Sequence, residues 1–235
     1  MKELVGSPQD PKVDVMQRGG FGETILHIAC LFANFPVAKY LVANFPKLID
    51  AAYEKEPYLG ENALHIAIVQ ADIEMVEFLL EHHAEVNECR CVGSFFKPPK
   101  GKIYLGEHPL TFAACVEREG KNKEMIRLLL RQGASFFNQD EFGNTLLHVL
   151  VIQDKVDMYN YIMDLYGLYK KPGDPDLEQI KNKQGRTPLG LSAALAKGEL
   201  FEAIMKRRKE TLWIYGRPIH SCLHFFAFFC SHPFP

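Results

Sequence analysis

The chain has 235 residues, 47% of them hydrophobic, so it can bury one large core or two small ones. Its 27 basic and 29 acidic residues give a net charge of -2, which disfavours a dedicated binder of nucleic acid or anionic membrane, since such proteins carry excess basic surface. Six scattered cysteines, and a start without the long apolar segment of a secretory signal, predict a reducing, cytoplasmic setting. The most apolar run, residues 223–230, is far shorter than the roughly 18–20 residues that cross a bilayer.

One motif recurs five times along the chain. It reads glycine, two residues, a small or apolar residue, leucine, often histidine, and then alanine. In chain order the copies are residues 22–29, 60–67, 106–113, 143–150 and 185–192. A second apolar helical pattern follows each copy, most clearly at residues 75–80 and 125–130. Each unit therefore predicts a turn and two helices.

Each part of the motif has a physical role. The glycine permits a tight turn, Thr24, Thr145 and Thr187 can bind free N–H groups where a helix begins, and Pro109 and Pro188 suit the first helical position. This unit is the ankyrin repeat, and neighbouring units must stack because one alone cannot bury its apolar face. The sequence predicts an all-α ankyrin-repeat solenoid of about five helix-pair repeats, with long finger loops and a short C-terminal linker element.

The repeats also set the expected domain boundaries. Residues 1–18 are expected to be a flank, poorly ordered or a remnant of a preceding repeat. Residues 19–208 form the ankyrin-repeat domain, with repeats starting near residues 20, 58, 104, 141 and 183. Residues 209–235 form a linker-like segment and an atypical apolar tail.

The motif glycines are 38, 46, 37 and 42 residues apart, more than the roughly 33 residues of ordinary ankyrin repeats. The surplus must lie in the loops, and it is largest between residues 84 and 106. We predict a binding surface there, for another subunit or a partner protein, because loops on one face of a solenoid often carry function. Its candidate residues are Phe95, Phe96, Lys97, Lys100, Lys102 and Tyr104. The alternatives are a lipid headgroup or peptide site, or a solvated loop whose aromatics pack on its own stem.

Residues 143–148 and residues 95–110 resemble the cytosolic ankyrin domain of vanilloid-type transient receptor potential (TRPV) cation channels, and residues 213–218 resemble the linker that follows it. The resemblance covers about residues 19–222, and we expect an invertebrate sensory member. It implies a calcium-permeable channel of the plasma membrane, with six repeats, a linker and six membrane helices in each subunit. The implied partners are other subunits, in a homo- or hetero-tetramer, and cytosolic regulatory proteins. Trp213 and Tyr215 would make linker contacts.

The chain also departs from the family pattern. It has no recognisable first repeat and no pore, and it diverges after Cys222. We therefore expect a fragment, a truncated isoform or a misannotated transcript. In some vertebrate members the concave face binds ATP through lysines, whereas the matching positions here are Glu23 and Ile28, and Glu61 stands where the family has a neutral polar residue. We predict no strong nucleotide binding, because carboxylates repel a triphosphate.

No catalytic residues, metal ligands or cofactors are predicted. The histidines at the motif position, His27, His65 and His148, are expected to tie backbone groups of adjacent turns together. The sequence from His82 and His83 to Cys89 and Cys91 lacks the Cys-x2-4-Cys spacing of a structural zinc site.

Three functional hypotheses remain open, none of them enzymatic. The first is the cytosolic ankyrin-repeat region of a TRPV-like subunit, acting in assembly and regulation. The second is a free-standing ankyrin-repeat adaptor between proteins. The third is a truncated isoform that modulates full-length channels. In all three, Leu64 and Leu147 are predicted to be core residues.

Overall fold

The computed structural model describes residues 14–97, 104–116, 118 and 120–208 in full, and the backbone of four short strands nearer the ends. Within the fully described part, ten α-helices form five pairs. The pairs are α1 (Ile25–Leu31) with α2 (Phe35–Asn44), α3 (Ala63–Gln70) with α4 (Ile73–Glu81), α5 (Pro109–Cys115) with α6 (Asn122–Arg131), α7 (Leu146–Ile152) with α8 (Val156–Tyr169), and α9 (Pro188–Ala194) with α10 (Gly198–Arg207).

Short elements complete the described chain. Single turns of 3-10 helix lie in the loops at Pro46–Leu48, Ser94–Phe96 and Leu177–Gln179. Two antiparallel strand pairs flank the helices, β1 (Gly6–Ser7) with β2 (Asp10–Pro11) and β3 (Glu210–Tyr215) with β4 (Arg217–Ser221). The predicted helical solenoid of five repeats is confirmed, and these two hairpins are additions to it.

Each helix pair packs on its neighbours in the chain. Among the first helices, α1 contacts α3, α3 contacts α5, α5 contacts α7, and α7 contacts α9. Among the second helices, α4 contacts α6 and α8 contacts α10. A row of units in which each touches the next is a solenoid, so its core is a continuous strip without a common centre.

The residue types where the first helices begin explain their capping. The Asn62 side chain accepts the N–H of His65 at 3.0 Å, and the Thr187 hydroxyl accepts the N–H of Gly190 at 3.2 Å. Pro188 follows directly, at a helical position where a missing N–H costs nothing. These contacts satisfy donors that the start of a helix leaves free.

The motif leucines form the centre of the strip. All five are buried, with exposures of 0, 0, 2, 0 and 7% for Leu26, Leu64, Leu110, Leu147 and Leu189. Burying one such side chain contributes roughly 1.5–3 kcal/mol. The prediction that Leu64 and Leu147 are core residues is confirmed.

The motif residue that follows the histidine position differs in exposure between the first described repeat and the later ones. Ile66, Phe112, Val149 and Leu191 are 4, 0, 1 and 5% exposed, whereas Ile28, in the first described pair, is 39% exposed. Phe112 lies against His65 of the preceding helix pair, with ring centroids 4.7 Å apart, whereas no pair precedes α1 among the described residues. The apolar face of α1 is therefore open.

No helix in the described part of the chain is both long and apolar enough to cross a bilayer.

Candidate functional site

The loops that join one helix pair to the next form four fingers. We define finger 1 as residues 45–62, finger 2 as 82–108, finger 3 as 132–145 and finger 4 as 170–187. Because each connects the end of a second helix to the start of the next first helix, all four project from the same side of the stack. They form the candidate functional face.

Fingers 1 and 2 are held tightly together. The N–H of Val92 donates to the carbonyl of Leu59 at 2.8 Å. Gly60 has φ of +85°, and a Cβ at this residue would lie 2.0 Å from the carbonyl oxygen of Arg90. Only glycine fits both the left-handed backbone and this close approach, so the two fingers present one surface.

The motif histidines connect each repeat to the following finger. His27 accepts the N–H of Thr24 at its Nδ1 (3.0 Å) and donates from Nε2 to the carbonyl of Glu61 at 3.3 Å. Equivalent Nε2 bonds join His65 to the Glu107 carbonyl at 3.2 Å and His148 to the Arg186 carbonyl at 2.9 Å. Burial lowers the pKa of His27 to about 4 and that of His65 to about 3, so both rings stay neutral. Their predicted structural role is confirmed.

The third repeat carries this connection in reverse order. His108 stands at the helix cap and Thr111 three residues later, where the first, second and fourth repeats place the cap residue and the histidine. His108 still reaches the next finger, with its Nε2 3.4 Å from the carbonyl of Gln139. Its Nδ1 is buried and has no hydrogen-bond partner among the described residues. The swap therefore keeps the bond between repeats but loses the local one.

The aromatic residues predicted as a contact surface on finger 2 divide into two kinds. Phe96 is 5% exposed and packs on Phe112 of α5, with ring centroids 5.3 Å apart. Phe95 is half-buried and its ring lies 5.3 Å from that of Tyr58 in finger 1. Phe96 thus fits the alternative of an aromatic pinned on its own stem, because its surface is already covered, whereas Phe95 keeps an open edge.

Tyr104 is also withdrawn from the surface, at 9% exposure. Its hydroxyl donates to the Asp140 carboxylate and accepts the Asn144 Nδ2–H at 2.9 Å, both in finger 3. Burial and the neighbouring Asp140 charge raise the pKa of Tyr104 above its ordinary value. Its role in the structure is to join fingers 2 and 3.

The lysines of the predicted surface have different outcomes. Lys97 pairs with Glu141 of finger 3 at 2.7 Å, with about a third of each side chain exposed. Such a pair contributes little stability, but it fixes where the Lys97 ammonium lies. Lys100 and Lys102 fall outside the described residues.

The predicted linker contacts lie in the second hairpin. Trp213 and Tyr215 belong to β3, opposite Ile219 and Arg217 of β4. The side chains of both strands are outside the described part of the chain. Their contact role stays a prediction.

Sequence reasoning missed that Phe95 belongs to a row of partly exposed aromatic rings, which runs from the segment before α1 across fingers 1 and 2. Phe21 is 50% exposed and its ring lies 5.9 Å from Tyr58, which in turn contacts Phe95. We call Phe21, Tyr58 and Phe95 the aromatic row. The signal in the sequence was an aromatic residue beside each glycine turn, at Phe21 and Tyr58. Exposed aromatic side chains are typical of protein contact sites.

The burial of two carboxylates also escaped prediction. Glu107 is 3% exposed and accepts hydrogen bonds from Nε and Nη2 of Arg90 at 2.8 and 2.5 Å. Glu61, at the same motif position one repeat earlier, is 8% exposed and has no ion pair among the described residues. Burial raises the pKa of Glu61 to about 7. The recurring Gly-Glu pair at residues 60–61 and 106–107 was the available signal.

The positions considered for nucleotide binding do not converge on a cationic site. Glu23 accepts the N–H of Phe21 at 2.8 Å, and Ile28 lies on the open face of α1. Glu61, near the end of finger 1, is buried. That the chain binds no nucleotide strongly stays a prediction, supported by the carboxylates of Glu23 and Glu61.

In the described residues, no group of three or more His, Cys, Asp or Glu side chains is placed to hold a metal ion. Burial raises the pKa of both Cys30 and Cys89 to about 12, and it also raises the pKa of Cys91. Thiols protonated in this way are poor nucleophiles.

Comparison with protein families matches residues 1–89 to the family described as Ankyrin repeats (3 copies). The described helix pairs continue well beyond that match, to Arg207.

Comparison with curated proteins gives longer matches. The chain is 39% identical over 216 residues to transient receptor potential cation channel subfamily V member 6 of Homo sapiens, a match that covers 89% of this chain and 27% of the relative. It is 39% identical over 222 residues to subfamily V member 5 of Homo sapiens, covering 92% of this chain and 29% of the relative. It is 36% identical over 206 residues to subfamily V member 1 of Canis lupus familiaris, covering 77% of this chain and 24% of the relative. The chain thus spans less than a third of the length of these relatives.

Proposed function

We propose that this chain, which belongs to the family of vanilloid-type transient receptor potential (TRPV) cation channels, forms the cytosolic ankyrin-repeat region of a calcium-permeable channel subunit. Its work there is assembly and regulation without catalysis. The observation that carries the proposal is the 39% identity to a named cation channel along 89% of this chain.

The fingers are the proposed assembly surface. The aromatic row offers partly open rings held in fixed positions by their contacts with one another. The Lys97 ammonium also has a fixed position, beside Glu141. Rigid aromatic side chains bind with a small loss of conformational entropy. The proposed contact surface is therefore the aromatic row with Lys97, to which Lys100 and Lys102 are added as a further hypothesis.

The rest of the proposal concerns the neighbouring parts. Trp213 and Tyr215 of the second hairpin are proposed to contact an adjacent subunit, and cytosolic regulatory proteins are proposed to bind the concave face. The domain division at residues 19 and 208 is part of the same proposal. The assembled channel would lie at the plasma membrane with this region on its cytoplasmic side.

Co-assembly with a full-length relative tests the proposal. The tagged chain is co-expressed with human subfamily V member 6 and recovered from detergent extract, and the amount of co-purified channel is measured. We expect recovery of the channel, reduced at least fivefold by the double substitution Phe21→Ala with Phe95→Ala. Phe32→Ala is the matched control, because Phe32 is 75% exposed and follows α1, at the end of the helix opposite to Phe21.

The outcomes separate the alternatives. A chain that recovers the channel and also changes its calcium current supports a subunit-like or modulating role. A chain that recovers no channel under any condition, while remaining folded by circular dichroism, removes the assembly proposal in favour of the free-standing adaptor. Equal losses of co-purified channel for Phe32→Ala and for the double variant of Phe21 and Phe95 would remove the proposed contact surface.

A further inference from the structure

The arginine that holds Glu107 has no counterpart in the preceding repeat. In finger 2, the N–H of Cys91 donates to the carbonyl of Glu107 at 2.8 Å, and Arg90, one residue earlier, binds the Glu107 carboxylate. In finger 1, the N–H of Tyr53 donates to the carbonyl of Glu61 at 2.7 Å. Tyr53 is thus equivalent to Cys91, and the equivalent of Arg90 is the residue before it.

That residue is Ala52. Its side chain ends at Cβ, so within the described part of the chain no cation takes the place beside Glu61 that the guanidinium of Arg90 takes beside Glu107. Ala52 is partly exposed, and the Arg90 side chain is 44% exposed in the corresponding place. A group that takes the place of the missing guanidinium can therefore come from solvent.

Arg18, in the segment before α1, and Lys55, in finger 1, are both engaged elsewhere. Arg18 donates to the carbonyls of Gly22 and Ala52 at 3.0 and 2.7 Å and pairs with Glu54 at 3.3 Å. Lys55 donates to the carbonyl of Gly20 at 3.4 Å. Neither is bonded to the Glu61 carboxylate.

The surroundings of Glu61 suit a planar cation. Tyr53 and Cys91 both lie close enough to Glu61 to interact electrostatically with its carboxylate. The ring of Tyr58 lies 5.7 Å from that of Tyr53. A guanidinium can pair bidentately with a carboxylate and stack on an aromatic ring, and it is more weakly hydrated than an ammonium group. The rise in the Glu61 pKa to about 7 is what burial without a cation produces.

We propose that Glu61 is a docking site for an arginine side chain of a partner protein, which supplies in trans the guanidinium that Arg90 supplies to Glu107 within the chain. The site lies between fingers 1 and 2, beside Tyr58 of the aromatic row. It is a point of specificity, because a partner without the cation leaves the buried carboxylate unpaired. The inference goes beyond the proposed channel role and does not depend on it.

A nuclear magnetic resonance titration of the full chain tests the proposal. The side-chain carboxyl of Glu61 and the backbone amides of Tyr53 and Cys91 are followed while Nα-acetyl-arginine N-methylamide is added. We expect saturable shifts at all three and a lower midpoint for the Glu61 titration. The citrulline analogue, neutral and of the same shape, should give none. Glu61→Gln should weaken arginine binding at least tenfold.

Two further variants use the comparison between repeats. Ala52→Arg should fill the site from within the chain and abolish the response to arginine. Arg90→Ala should create a second site at Glu107 and add a second set of shifts. Equal binding of citrulline, unchanged binding by Glu61→Gln, or full binding by Ala52→Arg would each overturn the proposal. So would a Glu61 midpoint already below 4.5 without added arginine, because the chain would then supply its own cation.

Discussion

The hydroxyl of Tyr159 donates a hydrogen bond of 2.8 Å to the carboxylate of Glu178, and Nε of Arg208 donates to the other carboxylate oxygen at 3.2 Å. Tyr159 is fully buried and Glu178 is 6% exposed. Burial and the Glu178 charge raise the pKa of Tyr159 well above its ordinary value. The contact joins α8, finger 4 and the end of α10, and it closes the last repeat.

The two partners of Glu178 should differ in their effect on stability. Tyr159→Phe removes one donor and leaves the Arg208 pair, so we expect a loss of about 1–2 kcal/mol. Arg208→Ala leaves a buried carboxylate without its cation and should cost about 3 kcal/mol or more. Urea unfolding at neutral pH measures both. An Arg208→Ala variant no less stable than Tyr159→Phe would contradict this assignment.

The core leucines give a direct test of the stack. Leu64→Ala and Leu147→Ala should each lower the free energy of unfolding by roughly 2–5 kcal/mol, because both side chains are 0% exposed and leave cavities. Thermal melting should show both losses. Leu168→Ala, at a position 81% exposed, is the control and should change stability by less than about 0.5 kcal/mol. Unchanged melting for either core variant would mean that the repeat register is wrong.

Glu61→Gln should stabilise the protein in a pH-dependent way. The folded pKa of Glu61, about 7, lies above the ordinary value of 4.5, so its contribution to stability is present below pH 4.5 and is lost as pH rises through 7. Glutamine does not titrate. The variant should match the wild type near pH 4.5 and exceed it at pH 8 by up to about 3 kcal/mol.

The buried histidines change stability in the opposite direction. Their lowered pKa values favour the folded state above pH 6.5, and this contribution is lost as pH falls toward 4. It cancels when wild type and Glu61→Gln are compared by urea unfolding at the same pH. An equal difference at pH 4.5 and pH 8 would show that Glu61 does not titrate near neutrality.

The reversed pair in the third repeat predicts coupling between two substitutions. His108→Thr removes the ring that reaches the Gln139 carbonyl, and Thr111→His places a second ring in a buried position. Each alone should cost about 1–2 kcal/mol. The double variant restores the order found in the first, second and fourth repeats and should recover most of that loss. A double-mutant cycle measures the coupling, and additive losses would contradict it.

The repeat architecture was predictable because each unit carries its own turn and helix-capping residues. Gly60, Asn62 and His65 fix a turn, a cap and a bond to the next finger within six residues. The apolar spacing of the second helices then leaves one packing direction. The strand pair of β3 and β4 was not foreseen, since the residues around Trp213 were read only as a linker.

The candidate site was harder to predict because composition does not say which side of a loop faces inward. Phe95 and Phe96 are adjacent and chemically identical, yet one is half-buried and the other is 5% exposed. Glu61 and Glu107 share a motif position, and their difference depends on Ala52 and Arg90 at positions that the repeat does not fix. Such features need the pairing of fingers in space.

The histidine bridges have a consequence for how the protein opens. Each bridge anchors the beginning of one repeat to the finger that follows it, so a central repeat can separate only after bonds on both of its sides break. Local unfolding should therefore begin at the end repeats and advance toward the central ones. Amide hydrogens of α5 and α7 should exchange with deuterium more slowly than those of α1. The proposed partner-binding face is then supported at its middle and yields first at its margins.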